Sequence, residues 1–187
     1  MAKVQIEISA RHIHLTRGDF KTIFGKDELS KRNDLSEKGE FAANEVVELV
    51  GSKRSLHKVR ILGPFREKTQ VEISRTDAVF IGVSAPLELS GSGEGALIRI
   101  IGPKGEISKR VAMVAKRHIH MNETTAKKLK LKNEDRVSVR VPGERSVIFE
   151  NVIVRMSENF TNRFHLDTDE ANAADIANHS MGEIILG

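Results

Sequence analysis

The chain contains no cysteine, no tryptophan and no tyrosine. Without cysteine there are no disulfides, no thiolate metal ligands and no protein thiol to act as a nucleophile, so any metal must be held by His, Asp or Glu. The aromatic content is 4%, all of it phenylalanine, which leaves Val, Ile and Leu to fill the interior and favours a β-rich fold. The same scarcity removes the aromatic platforms on which single-stranded nucleic acid stacks. No run of 18 apolar residues occurs, and the opening MAKVQIEISARHIHL has neither a secretory apolar region nor an Arg/Ser-rich transit segment. A cytoplasmic location with no membrane association is therefore expected.

What is present suits a soluble globular chain. The 187 residues are 39% hydrophobic and 30% charged, enough for one large domain or two small ones. The formal net charge of +4 matches an anionic partner such as phosphate or a nucleotide-bearing cofactor. The basic residues are interspersed with acidic ones, however, as on an ordinary solvated surface.

One internal echo organises the sequence. Ser9-Ala10-Arg11-His12-Ile13-His14-Leu15 returns as Ala115-Lys116-Arg117-His118-Ile119-His120-Met121. Each copy follows a β-patterned run, and each precedes a capping residue, Thr16 or Asn122. Short helices are expected over Arg17 to Phe24 and Glu123 to Leu129. Strands are expected at Glu45 to Val50, His57 to Leu62, Gln70 to Ser74, Val79 to Val83, Ala96 to Ile101, Arg136 to Val141, Val147 to Val154 and Arg163 to Asp167. Gly63-Pro64, Gly91-Ser92-Gly93, Gly102-Pro103 and Pro142-Gly143 mark turns. The first half carries an additional loop from Lys26 to Phe41. The expected fold is mainly β: two small β-barrel domains with short helices, 1–90 and 91–187, duplicated around the two Arg-His-Ile-His motifs, with termini free to swap between barrels.

Residues two apart on a strand face the same side, so His12/His14 and His118/His120 each present two imidazoles together. Neutral imidazole ligates zinc, cobalt, nickel or iron. One His-x-His pair arises by chance easily; two in a shared frame point to metal. Two histidines leave a metal with open positions, which carboxylates or further histidines could fill. Glu72 and His165 are candidates, although either could equally be a plain strand residue. Arg11 and Arg117 alternate away from the imidazoles and read as structural at least as readily as functional. Arg66, beside the stiff Gly63-Pro64 turn, is either an ordinary turn residue or a two-pronged phosphate ligand. His57 and His179 read as surface residues.

The segments SARHIHLT, NDLSEKGEFAANE, RILGPFREKTQVEISRTDA, VAKRHIHM and FHLDTDEANAA, in this order across nearly the whole chain, resemble the PduL-type phosphotransacylases, the phosphate propanoyltransferase family. The resemblance implies two β-barrels with two divalent metal ions, usually zinc, in a cleft between them. It implies that His12 and His14 hold one metal, and that His118, His120, His165 and Glu72 hold the other. Arg66 would bind phosphate, Ser9 would lie at the edge of the site, and a homodimer is expected. The implied reaction moves a short acyl group, acetyl or propanoyl, between coenzyme A and inorganic phosphate, reversibly and by direct attack on the thioester. Family members packaged in microcompartments carry an N-terminal amphipathic tag. Here a strand begins by residue 3 or 4, so a free cytoplasmic form is expected, with acetyl-CoA a plausible substrate beside that of propanediol breakdown. Two rivals stand against this reading: a dinuclear metal hydrolase, and a non-enzymatic barrel that binds nucleic acid.

Overall fold

The computed structural model describes residues 2–91 and 94–186. Ser92 and Gly93 of the expected Gly91-Ser92-Gly93 turn lie outside the described residues. In chain order the elements are β1 (Ala2–Ser9), β2 (His12–His14), α1 (Arg17–Phe24), β3 (Lys31–Asp34), β4 (Phe41–Val50), β5 (Ser55–Gly63), β6 (Gln70–Glu72) and α2 (Arg75–Ile81). There follow β7 (Leu87–Glu88), β8 (Ala96–Ile101), β9 (Glu106–Ala115), β10 (His118–Met121), α3 (Glu123–Leu129), β11 (Arg136–Val141), β12 (Val147–Met156), β13 (Arg163–Asp167), α4 (Thr168–Ala173) and β14 (Met181–Ile185).

The strands close two six-stranded barrels. In one, the order β4-β5-β2-β6-β9-β8 returns to β4, with β3 added on β4 and β7 on β9. In the other, β11-β12-β10-β13-β1-β14 returns to β11. Strand for strand the two rings correspond, including the sense of pairing. Each His-x-His strand runs parallel to one neighbour (β5 or β12) and antiparallel to the other (β6 or β13).

The barrels do not divide the chain at residues 85–95. One compact unit is Arg11–Ala115, here the continuous barrel; the other joins Met1–Ala10 to Lys116–Gly187, here the composite barrel. The reason is the pairing of β1, which lies parallel to β13 and antiparallel to β14 in the ring of the second motif. Its counterpart β9 pairs with β6 and β8 in the ring of the first motif. The strand that leads into each Arg-His-Ile-His copy thus closes the ring of the other copy, and the units meet along the sequence at residues 10–11 and 115–116.

Alternation decides what is buried. Ile13, Leu15, Val71, Ile73 and Ile61 lie in the core of the continuous barrel with Phe20 and Ile23 of α1. Ile119, Met121, Phe164, Leu166, Val4 and Ile6 lie in the core of the composite barrel. The intervening histidines therefore belong to the outer face of each wall. Both walls bend at the same place. Lys58 on β5 and Asn151 on β12 have left-handed backbone (φ 55° and 56°), and pairing with β4 and β11 shifts register around them. Each stands two residues before the partner of the first histidine, Arg60 for His12 and Ile153 for His118.

The helices over 17–24 and 123–129 begin at the expected caps, with Thr16 accepting from the Asp19 N–H and Asn122 from the Thr125 N–H. The strand expected at Val79 to Val83 is instead the end of α2. Ser74 accepts from the Asp77 N–H and Gly82 closes the helix in left-handed backbone (φ 74°), and these caps override the β-propensity of Val79, Phe80 and Val83. The loop from Lys26 to Phe41 contains β3. Helix α4 and strands β7 and β14 complete the fold beyond the elements read from the sequence.

Candidate metal centres

In the continuous barrel β2 and β6 are antiparallel neighbours with His12 opposite Glu72 and His14 opposite Gln70. His12 Nε2 lies 3.7 Å from Glu72 Oε2, and one ligand atom each of His12, His14 and Glu72 falls within 4.8 Å of the others. All three side chains are buried. His14 Nδ1 lies 3.2 Å from the Leu62 carbonyl, so with Nδ1–H donating there the Nε2 lone pair is left for a ligand. Burial, then the neighbouring charges of His12 and Arg66, hold the His14 pKa well below its ordinary value, so the ring is neutral as a metal requires. Gln70 donates to Glu72 Oε1 and to Ser90 Oγ, while its own carbonyl accepts from the Gly91 N–H. That network fixes the orientation of the Glu72 carboxylate.

The composite barrel repeats the arrangement with a third imidazole. His118 on β10 stands opposite His165 on β13, their rings stacked with centroids 5.0 Å apart. His118, His120 and His165 each bring one ring nitrogen within 4.8 Å of the others. His118 Nδ1 lies 2.9 Å from the Lys116 carbonyl, again freeing Nε2. His120 stacks on Phe160 at 3.9 Å. His165 Nε2 is buried without a hydrogen-bond partner, and burial, followed by the proximity of His118 and His120, lowers its pKa well below the ordinary value. A neutral imidazole with a buried ring nitrogen that has no hydrogen-bond partner fits a metal ligand. Two sets rich in neutral nitrogen and devoid of thiolate suit a borderline divalent cation such as zinc.

A family model described as Phosphate propanoyltransferase matches residues 5–177. A protein of that name from Lachnoclostridium phytofermentans is 47% identical over 186 residues, covering 97% of this chain and 85% of the relative. Another from Thermotoga maritima is 47% identical over 173 residues, 90% of this chain and 82% of the relative. A third, from Clostridioides difficile, is 41% identical over 187 residues, 98% of this chain and 90% of the relative. The chain belongs to the phosphate propanoyltransferase family.

For this phosphate propanoyltransferase family member the grouping of Glu72 differs from the division set out above. That division put it with His118, His120 and His165; the structure groups it with His12 and His14, because β6 pairs in register with β2. Glu72 occupies on β6 the place that His165 occupies on β13, each directly opposite the first histidine of its pair. Arg66 lies in the continuous barrel, its Nη2 donating to Glu40 at 3.0 Å, and close enough to His14 to disfavour protonation there. Ser9 stands on β1 opposite Asp167, on the same face of the wall as Glu7 opposite His165. His57 is exposed beside Glu48, and neither it nor His179 belongs to either set.

Sequence reading passed over Glu40, Gln70 and Phe160. Gln70 was within reach, since it stands two residues before Glu72 and so shares its face. Nothing local marks Phe160 or Glu40 as neighbours of His120 and Arg66.

Proposed function

We propose that the protein moves a short acyl group, acetyl or propanoyl, between coenzyme A and inorganic phosphate, reversibly and with the help of two divalent cations. The observation that carries this reading is the repeated donor set. Two equivalent walls in a member of this family each present three converging ligand atoms, and in the composite barrel one of these residues, His165, has a buried ring nitrogen without a hydrogen-bond partner. His12, His14 and Glu72 would hold one ion, and His118, His120 and His165 the other, zinc being the cation these donors suit best. Such ions, when bound, supply Lewis acidity to carbonyl and phosphate oxygens and a thiophilic seat for sulfur.

The rest is assigned to the chain's own groups. Arg66, its Nη2 held by Glu40, would bind phosphate through its other N–H groups and offset its charge. A phosphate oxygen attacks the thioester carbonyl carbon. As the O–C bond forms the C–S bond breaks, the electron pair leaves with sulfur, and the proton given up by phosphate ends on the thiol. The products are acyl phosphate and free coenzyme A. No cysteine is present to carry the acyl group, and direct transfer needs none. Holding both reactants in attack geometry can supply roughly 7–11 kcal/mol of the barrier. The same reading carries a cytoplasmic homodimer, testable by light scattering and fractionation.

The test is coenzyme A release from acetyl-CoA and propanoyl-CoA with and without phosphate, before and after metal chelation. Release that requires both phosphate and metal is expected. Thiol release independent of phosphate would instead establish a hydrolase.

A further inference from the structure

The two arginines that precede the histidine pairs make the same contact in both barrels. Arg11 Nε lies 2.9 Å from Asp77 Oδ2, and Arg117 Nε lies 2.7 Å from Glu170 Oε1. Both acids occupy one place in the duplication. Asp77 follows Glu72 by five residues and Glu170 follows His165 by five, while each arginine immediately precedes the first histidine of its set. Both acids also stand three residues after a helix cap. The Asp77 N–H donates to Ser74 Oγ at 3.1 Å, and the Glu170 N–H to Asp167 Oδ1 at 2.8 Å. Asp77 is buried, and the side chain of Glu170 is mostly so.

Each pair therefore closes a loop across the two strands that carry the ligands. One end is tied just before the first histidine, at the point where the chain leaves one barrel for the other. The other end is tied to the helix that begins three residues after the third ligand. The His-x-His strands are short, three residues in β2 and four in β10. Few ladder bonds thus fix how far the first ligand stands from the third, and a tether just outside the ligands sets that spacing. The chemistry of the contact suits the task, since a guanidinium held by a carboxylate is directional where an ammonium is not.

Building on the cation-binding reading above, we infer that Arg11–Asp77 and Arg117–Glu170 are a duplicated pair of clamps, each setting the ligand spacing, and so the metal affinity, of its own barrel. Arg11 and Arg117 are positioning residues that act through the histidines beside them.

The test uses the full-length chain, stripped and then titrated with Zn²⁺ against a chromophoric chelator, with Co²⁺ absorption as a second readout. R11Q should weaken one of two bound ions by about 10–100-fold, the range for lost outer-shell support, and leave the other unchanged. R117Q should weaken the other ion alone, and the double variant both. R11K and R117K, which keep the charge and lose the fork, should recover part of the affinity, and D77N and E170Q provide second variants if either glutamine substitution fails to fold. Two unchanged Zn²⁺ affinities in variants with a lowered melting temperature would overturn the clamps and leave the metal reading standing. Equal weakening of both ions by either variant would also overturn them. A wild-type chain that binds no Zn²⁺ at all would sink the metal reading, and this inference with it.

Discussion

Acidifying the metal-free protein from pH 7.5 to 5.5 should destabilise it through His14 and His165. Burial, the first cause in both, and neighbouring positive charge hold each ring neutral in the folded chain, with a pKa well below the ordinary value. In the unfolded chain both titrate near 6.5, so the unfolded state binds more protons as the pH falls past that value. The stability is present above pH 6.5 and is lost below it. If the folded rings stay neutral throughout, the loss approaches about 1.4 kcal/mol per histidine across these two pH units, or about 2.8 kcal/mol together. Asp167 and Glu170 act in the opposite sense. Burial, outweighing the pull of Arg117, raises both carboxyls, so the folded chain keeps their protons longer and gains stability as the pH falls through that raised window.

The comparison that isolates one ring is therefore wild type against His165→Gln, in which the carboxyl contributions are common to both. Urea unfolding of the chelator-treated protein at the two pH values, followed by far-ultraviolet circular dichroism because the chain has no Trp or Tyr, gives the four free energies. The variant should lose about 1.4 kcal/mol less than wild type on acidification. Equal losses would refute the argument that His165 sits neutral and uncompensated in its wall. Saturating Zn²⁺ should steepen the wild-type loss further, since the ion binds only the neutral rings.

Arg66→Ala should raise the KM for phosphate at least tenfold and leave the KM for acyl-CoA within about twofold; an unchanged phosphate KM removes Arg66 from the site. Lys130 caps α3 in left-handed backbone (φ 57°), where the equivalent caps of α1 and α2 are Gly25 and Gly82. Lys130→Gly should therefore stabilise by about 0.5–1 kcal/mol, read as a rise of a few degrees in melting temperature. Phe164 is fully buried between two outward-facing residues of β13, and Phe164→Ala should cost about 3–5 kcal/mol of stability as measured by urea unfolding.

Local chemistry was legible wherever it acts within a few residues. Thr16 and Asn122 announce their helices because a capping side chain reaches only to the third residue beyond it. Strands such as β8 and β11 announce themselves by period-two burial. The run Val79 to Val83 deceives because its β-branched and aromatic residues outvote a cap at Ser74, outside it, and a helix-closing glycine, Gly82, within it. Pairing was illegible for a different reason. The sequence of β1 is compatible with either ring, and only the registers of β13 and β14 place it in the composite barrel. The same non-local register puts Glu72 beside His12, so the expected ligand residues were divided differently from the way the walls group them. Asp77 and Glu170 lie in the first turns of helices not expected from the sequence, and their pairing with Arg11 and Arg117 is equally non-local.

The duplication of the walls is not exact at the ligand positions. At equivalent places opposite the first histidine, the continuous barrel has Glu72 and the composite barrel His165. Three neutral imidazoles leave a divalent ion its full double charge, whereas two imidazoles and a carboxylate reduce it to a single net positive charge. On the proposed reading an ion held by His118, His120 and His165 would thus be the stronger electrophile, and one held by His12, His14 and Glu72 would release an anionic ligand more readily. Arg66, although paired with Glu40, stands close enough to His14 for its charge to be felt by that ring. On that reading a single difference at one duplicated position, Glu72 against His165, is enough to give two otherwise matching walls ions of different effective charge.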